Sequence, residues 1–226
     1  NPDSYQYSTI LLEAFVNTSN PFSYNEWALE ALDSLKLRYG SRLVIAEYHR
    51  NTSQYSDALA RPSVFEPLYT KYVENSSSTL KAVPDIFING ITYRVQGASS
   101  TGSVIERLNA AVSKIITQNN HFALEPENID ANSNSVSAGC KIARLGNLPA
   151  ENLLLRLILI DRINNNELKR VVTDLQKSAI ISQLAEGEIT SVSFDTIPVN
   201  QKPERLIFSL TSSDELIVYQ NIRVDL

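Results

Sequence analysis

The sequence predicts two differently built parts, an α/β part followed by an all-β part. In residues 1–118, apolar runs typical of buried strands alternate with amphipathic stretches typical of helices. In residues 134–226, apolar residues recur at every second position, the period of a strand with one face against a core. Residues 119–133 between them are polar and are expected to form a linker. We therefore expect a central mixed sheet flanked by helices, followed by a small β-sandwich.

The α/β part opens with a predicted buried strand over residues 10–16 and a turn-rich loop over residues 17–22. Ser23 and Glu26 match the S-x-x-E capping box, in which both side chains bond free amides at a helix start. Apolar residues then follow at near-helical spacing as far as Gly40, a natural helix terminator. This pattern predicts the first helix.

The rest of the α/β part alternates in the same way. A strand is predicted over residues 42–48, and a weaker helix, interrupted by Pro62 and Pro67, within residues 54–75. Residues 86–88 and 91–96 form a predicted hairpin around Asn89-Gly90, a pair that favours a type I′ turn. A clean amphipathic pattern predicts a helix over residues 101–117.

In the all-β part, strands are predicted around residues 136–142, 153–159, 189–194, 206–210 and 216–224. Residues 167–184 fit either a helix or a strand with an excursion, and the pattern favours a helix. Cys140 lies on an alternating apolar face of its strand, which favours a buried structural thiol over a reactive one.

Composition excludes several classes of function. The net charge of −5 and the lack of any Lys/Arg cluster argue against a nucleic-acid partner. No apolar run approaches the ~20 residues of a membrane-spanning helix. A single cysteine and two histidines exclude an internal disulfide, a CxxC pair and a His-rich metal site, so we expect neither a metal nor a cofactor. A chain that starts at Asn1 and lacks Met is expected to be a trimmed or mature fragment, and the sequence leaves open whether an export signal or lipid anchor was removed.

Two segments resemble the thioredoxin fold. They are residues 14–23 (AFVNTSNPFS) and Val83-Pro84, which directly precedes the strand–Asn-Gly–strand hairpin. In that family a Val/Thr-Pro pair with a cis proline precedes the third strand and faces the redox loop. The resemblance covers residues 8–118 and implies that Pro84 is cis. With its trailing β-sandwich, the layout also resembles bacterial envelope lipoproteins that have a thioredoxin-like domain, which implies an extracytoplasmic location.

The sequence differs from this family at the residues that carry out its redox chemistry. The two redox cysteines of the family fall on Asn20 and Ser23, and the buried carboxylate that assists proton transfer falls on Ala14. Disulfide exchange requires a thiolate nucleophile. The resemblance therefore implies a scaffold that is redox-inactive at this loop.

The same positions are candidate binding residues. At a helix N-terminus the loop of residues 20–23 would offer free amides to an anionic or carbonyl group, although a simple capped helix start also explains it. The backbone beside Pro84 would pair with an extended peptide, or would be only an inherited structural turn. The predicted binding site comprises Asn20, Pro21, Phe22, Ser23, Val83 and Pro84.

Two further groups have competing interpretations. Glu47 and His49 lie two residues apart at the end of the second strand, on the same face. They would form an acid/base pair or, as the pattern favours, a solvated strand end or a packed polar pair. Phe22, Tyr24 and Trp27 cluster near the loop, where they would anchor a partner or, as we expect, pack the first helix onto the sheet.

The sequence thus predicts a non-catalytic binding or assembly protein of the cell envelope that engages an extended protein segment. One alternative is an enzyme that uses the Cys140 thiol or other groups at the loop of residues 20–23. Another is a structural surface component whose thioredoxin-like domain binds nothing.

Overall fold

The structure, a computed structural model, describes residues 9–146, 148, 150–163 and 168–226. Contacts within this part of the chain define two compact units. The N-terminal unit contains residues 9–117 and 170–172, and the C-terminal unit contains the described residues among 118–169 and 173–226. Residues 1–8, which belong to the predicted first domain, lie outside the described residues.

The N-terminal unit is built on a mixed sheet, as predicted. Its strands are β1 (Ile10–Val16), β2 (Leu43–His49), β3 (Asp85–Ile88) and β4 (Tyr93–Gln96), in the order β2-β1-β3-β4. β1 is parallel to β2 and antiparallel to β3, and β3 is antiparallel to β4. In the β3–β4 turn, Asn89 and Gly90 both have positive φ, the conformation that a type I′ turn requires.

Helices cover both faces of this sheet. They are α1 (Tyr24–Tyr39), α2 (Pro62–Glu74) and α3 (Thr101–Ile115), and they are the only α-helices in the described part of the chain. α1 and α3 share an apolar core with one sheet face. The largest side chains of this core are Ile10, Leu12, Leu32, Leu35, Leu43, Ile45, Ile86, Ile88, Leu108 and Ile115.

The opposite face of the sheet packs against α2 through aromatic rings. Phe15 contacts the rings of Tyr48, Tyr69, Tyr72 and Phe87, with centroid separations between 4.7 and 6.4 Å. The residues of β1 alternate between this aromatic layer and the aliphatic core, because successive side chains of a strand point to opposite faces. The uninterrupted burial of β1 follows from this covering of both faces.

The C-terminal unit consists of strands only. They are β5 (Phe122–Ala131), β6 (Ser135–Arg144), β7 (Glu151–Ile163), β8 (Leu168–Lys177), β9 (Ile181–Gln183), β10 (Ile189–Pro198), β11 (Arg205–Ser212) and β12 (Val218–Asp225). Residues 170–172 of β8 belong to the N-terminal unit. β10, β6 and β5 form one sheet. β12, β11, β7 and β8 are hydrogen-bonded neighbours, in that order, in a second sheet, and β9 pairs with β7. Alternate residues from both groups of strands share one apolar core, which includes Cys140.

Two predictions for this part were wrong. The expected linker over residues 119–133 contains β5, because Phe122 and Leu124 enter the core and the backbone pairs with β6. The stretch of residues 167–184 was expected to be helical. Glu167 lies outside the described residues, and the remainder contains β8 and β9. Sheet pairing here outweighs the local helical pattern.

Substitutions in α3 test how strongly the aliphatic core holds the N-terminal unit. Leu108 is fully buried, so Leu108→Ala is expected to lower the free energy of unfolding by about 2–5 kcal/mol. The matched control is Leu37→Ala, since Leu37 is 88% exposed and its loss is expected to change stability by less than about 0.5 kcal/mol. Urea unfolding followed by helical circular dichroism measures both. Equal destabilisation by the two variants would contradict the assigned core.

Candidate functional site

The candidate site lies at the end of the N-terminal sheet where β1 ends and β3 begins. Phe15 pairs with Asp85 in the antiparallel register of these two strands. The loop of residues 17–23 leaves β1 one residue beyond that pair, and Val83-Pro84 enters β3 directly before it. The two predicted segments therefore extend from the same end of adjacent strands. The Val83–Pro84 peptide bond is cis, as predicted.

Asn17 is the buried residue that fixes the start of the loop. Its Nδ2 donates to the carbonyls of Arg50 and Tyr55, both at 2.9 Å. Its Oδ1 accepts from the amide of Ser19 at 3.0 Å, and its own amide donates to Oδ1 of Asn25 at 3.2 Å. The loop thus leaves the strand in a direction set by one asparagine with both ends of its amide bonded.

The tip of the loop is exposed. Pro21, Phe22 and Ser23 face solvent, while Asn20 is half-buried and turns the chain by accepting the amide of Phe22 at its Oδ1, at 3.1 Å. Ser23 precedes α1, and its side chain makes no capping hydrogen bond. The predicted capping box is therefore absent, because the Ser23 backbone at φ −67° and ψ 4° is not the extended conformation that a capping serine adopts.

The aromatic residues near the loop do not pack onto the sheet as expected. Phe22 is 55% exposed and Tyr24 is 42% exposed, whereas Trp27 is half-buried. The rings of Phe22 and Tyr24 stack at 5.6 Å, and Tyr24 meets Trp27 edge-on at 5.9 Å. The buried side of α1 is formed instead by Asn25, Ala28, Ala31, Leu32 and Leu35. The three rings therefore form a continuous surface row.

A buried Asp57–His49 pair holds the start of the loop through hydrogen bonds to Thr18. His49 Nδ1 lies 3.0 Å from Asp57 Oδ2, and the same oxygen accepts from the amide and hydroxyl of Thr18, at 2.8 and 3.1 Å. Burial acts to raise the pKa of Asp57, but the His49 hydrogen bond and charge and the amides of Leu59 and Thr18 together lower it to about 2. Asp57 is therefore ionised at neutral pH and anchors the first exposed residue of the loop.

Sequence reasoning missed this pair because it linked His49 with Glu47. The structure separates the two: Glu47 accepts from Arg170 Nε at 2.6 Å, and Arg170 Nη1 also donates to Asp33 at 2.5 Å. All of these residues lie in the N-terminal unit. Asp57 lies in a loop without regular pattern, so only the fold reveals its proximity to His49.

Asp85 holds the segment before β3. Its fully buried carboxylate accepts from Arg94 Nε at 2.8 Å, Arg94 Nη2 at 2.6 Å and the Tyr69 hydroxyl at 2.9 Å. Burial, reinforced by the charge of Asp85, raises the pKa of Tyr69, so its hydroxyl remains a donor. Tyr69 also bonds both the amide and the carbonyl of Ala82. The backbone next to Val83 is thereby held in place.

Arg94 extends this support along the same segment. It donates to the carbonyl of Ser78 and, at 2.7 Å, to that of Leu80, which also accepts from Gln96 Nε2 at 2.8 Å. Leu80 itself is 64% exposed. The carbonyl of Pro84 accepts from the amide of Gly97 at 2.8 Å.

Val83 is a residue of this segment whose backbone groups are unpaired. It is half-buried, and within the described residues its amide and carbonyl make no hydrogen bond. Its neighbours on both sides are held, as described above for Ala82 and Pro84. Main-chain pairing with an extended segment requires unpaired backbone groups of this kind.

The structure also locates the residues on which thiol chemistry would depend. Ala14, at the position of the family's carboxylate, is fully buried in the aliphatic core. Cys140 is fully buried in the core of the C-terminal unit. Burial, with smaller contributions from the charges of Glu127 and Glu125, raises the pKa of its thiol to about 12, despite a hydrogen bond with the Glu125 backbone. The predicted burial of this thiol is confirmed.

Across residues 9–146, 148, 150–163 and 168–226, the side chains of His, Cys, Asp and Glu nowhere form a group of three that could hold a metal ion. In the same part of the chain, none of the helices combines the length and apolar character that crossing a membrane requires.

Comparison with known proteins identifies similar folds. The chain resembles protein AGR_C_4864 from Agrobacterium tumefaciens, a structural-genomics target, with 17% identity and a TM-score of 0.63 over 96% of this chain and 94% of that one. It also resembles HBP35 of Porphyromonas gingivalis, with 10% identity and a TM-score of 0.62 over 98% of this chain and 76% of that one. No family model and no curated protein matches the sequence. At these identities the likeness shows a shared fold alone.

The Asp57–His49 pair makes stability depend on pH. The pKa of Asp57 is lower in the folded chain than its ordinary value of 3.8, so its contribution is complete above that value and is lost as the pH falls towards 2. We expect Asp57→Asn to cost about 2 kcal/mol near pH 6, and the cost to shrink below pH 4.

Urea unfolding of both proteins between pH 2 and 7 measures this difference. Asp195→Asn is the control, since Asp195 is exposed and its replacement is expected to change stability by less than about 0.5 kcal/mol at any pH. A cost for Asp57→Asn that stays constant across the whole range would contradict the assigned role of the ionised carboxylate.

The burial of Cys140 predicts a slow thiol. With a pKa of about 12, roughly one thiol in ten thousand is ionised at pH 8, and the reagent cannot reach it in the core. Reaction with a chromogenic disulfide reagent is expected to be at least about 100-fold slower in the native protein than in concentrated urea. Rapid native labelling would revive the alternative of a thiol-dependent enzyme.

Proposed function

We propose that this chain is a non-catalytic binding or assembly protein of the cell envelope that engages an extended segment of another protein. The N-terminal unit is, in this proposal, a thioredoxin-like domain without redox cysteines, and the C-terminal unit is a β-sandwich. The binding site comprises the loop of residues 20–23 together with Val83 and Pro84.

The topology of the N-terminal unit supports the thioredoxin-like assignment. A parallel strand pair, an antiparallel hairpin and helices on both faces occur in the chain order expected from the resemblance. The loop after β1 leads directly into α1, and an X-Pro pair enters β3. These are the features around which proteins of that family organise their loop.

One observation carries the binding proposal: the unpaired backbone of Val83 lies at the same sheet end as the exposed loop. Strand addition to an exposed edge supplies main-chain hydrogen bonds, which fix the direction of a bound segment without requiring a particular sequence. The supports at Asp85 and Asp57 hold the two sides of the site in place before any partner arrives. Such preorganisation lowers the entropic cost of binding.

Exposed apolar side chains occur on both segments of the site. Phe22 and Tyr24 project from the loop side, and Leu80 lies three residues before Val83 on the other. Aromatic and apolar side chains of this kind provide most of the affinity in many protein interfaces, whereas main-chain pairing mainly sets geometry. The partner segment is therefore expected to be extended and to present apolar side chains to Phe22 and Leu80.

The absence of sulfur at the loop favours binding over catalysis. Asn20 and Ser23 stand where the family has its thiols, and neither can form the thiolate that disulfide exchange requires. The only thiol of the chain, Cys140, is buried in the C-terminal unit and resists ionisation. The envelope location rests on the resemblance to envelope lipoproteins, and the C-terminal unit is proposed to position the N-terminal one or to bind a second partner.

Selection from a random dodecapeptide library tests the binding proposal. We expect immobilised protein to enrich extended peptides, with dissociation constants in the micromolar range. Val83→Tyr places a bulky side chain at the edge and should weaken their binding at least about tenfold, because it blocks the approach of the peptide backbone.

The matched control is Val199→Tyr, at a half-buried valine of the C-terminal unit. Both variants should retain the circular dichroism spectrum of the unmodified protein. Recovery of no binding peptide, or equal affinity of the unmodified protein and Val83→Tyr, would refute the proposed site.

A further inference from the structure

We infer that the partner segment presents a cationic side chain, arginine or lysine, to the surface patch formed by Phe22, Tyr24, Glu26, Trp27 and Glu30. This inference rests on the proposed function, since it names the chemistry of the segment that would bind there. It is carried by the arrangement of rings and carboxylates at the start of α1.

The rings of the patch offer π surface to solvent. Phe22 stacks on Tyr24, and Tyr24 contacts Trp27, so the three rings form one row from the loop to the second turn of α1. Phe22 and Tyr24 retain about half of their surface in contact with solvent. A guanidinium or ammonium group placed over such a ring is attracted by its negative face, and the attraction increases when the pair is desolvated.

Two exposed carboxylates lie on α1 near the rings in sequence, and Glu30 is three residues from Trp27, a spacing at which helix side chains are neighbours. Glu26 and Glu30 are both exposed and lie four residues apart on α1, a spacing at which like charges repel each other. Among the described residues, neither carboxylate forms a salt bridge, and the Glu30 carboxylate accepts only from the neutral hydroxyl of Thr101, at 2.5 Å. A cation from outside would relieve this repulsion while it contacts Trp27.

The chain covers several of its other aromatic rings with its own cations. Arg38 lies over Tyr39 at 5.5 Å, Arg50 over Tyr69 at 4.1 Å, Arg94 over Phe87 at 5.1 Å and Lys114 over Tyr93 at 5.4 Å. In the part of the chain that the structure describes, no such cation covers the rings of the patch. The patch therefore combines uncovered rings with uncompensated negative charge, which favours a basic partner over an acidic one.

The helix dipole explains only part of the patch. Glu26 in the first turn of α1 complements the helix dipole, as acidic residues at a helix start commonly do. This does not account for Glu30 in the second turn or for the two exposed rings beside the loop. Charge complementarity to a cation accounts for all of them together.

The peptides selected on the unmodified protein provide the test. We expect arginine or lysine to be enriched at one position relative to the unselected library. The most enriched peptide is then synthesised in two forms, with arginine and with its uncharged analogue citrulline at that position. Trp27 is the only tryptophan of the chain, so its fluorescence reports directly on occupancy of the patch.

The citrulline form is expected to bind about five- to tenfold more weakly, and the ratio should fall towards one at high salt. In the double variant Glu26→Gln/Glu30→Gln the two forms should differ by less than about threefold, because part of the attraction is removed. Circular dichroism of this variant checks that α1 is intact.

The remaining outcomes distinguish failure of the cation site from failure of the proposed function. Selected peptides without basic enrichment, equal binding of the two forms, or an unchanged ratio in the double variant would overturn the cation site. If the peptides still lose affinity in Val83→Tyr, the proposed function survives that failure. If no peptide binds at all, the proposed function fails and this inference fails with it.

Discussion

Asp85 lies fully buried at the start of β3, and its carboxylate accepts hydrogen bonds from Tyr69, Arg94 and Gln96. A buried charge is tolerated only where it is paired and hydrogen-bonded, so these donors are a condition of the fold in this region. Because Tyr69 and Arg94 also hold the backbone of residues 78–82, the same interaction that satisfies Asp85 determines where Val83 lies. Removal of one donor would disturb both the carboxylate and the candidate binding edge.

On the loop side, the carboxylate of Asp57 holds the backbone in the same way. Asp57 ties Thr18 to His49 at the ends of β1 and β2, where two parallel strands finish together. The candidate site is therefore held by hydrogen bonds at its two attachment points, while the rings of Phe22 and Tyr24 are exposed to solvent. This division suits a docking surface, since rigid supports reduce the entropy lost on binding while exposed rings supply contact area.

Local signals in the sequence were sufficient for much of the fold. The buried run of residues 10–16, the Asn89-Gly90 turn and the alternation around Cys140 each specify their structure through nearby residues. β5 was missed because its outward face is polar and its pairing with β6 is not visible in the sequence. The contacts of His49 with Asp57 also escaped prediction, since a loop without periodicity gives no sign of which side chain it buries. Sequence patterns reveal faces and periods, whereas polar partners depend on tertiary geometry.

β4 is the outermost strand of the N-terminal sheet on the β3 side and is only four residues long. An unpaired strand edge is a template for sheet growth between molecules, and long, flat, apolar edges are the hazardous ones. β4 offers few backbone groups, and it contains the charged residue Arg94. The shortness of β4 therefore leaves few backbone groups on this side for pairing between molecules.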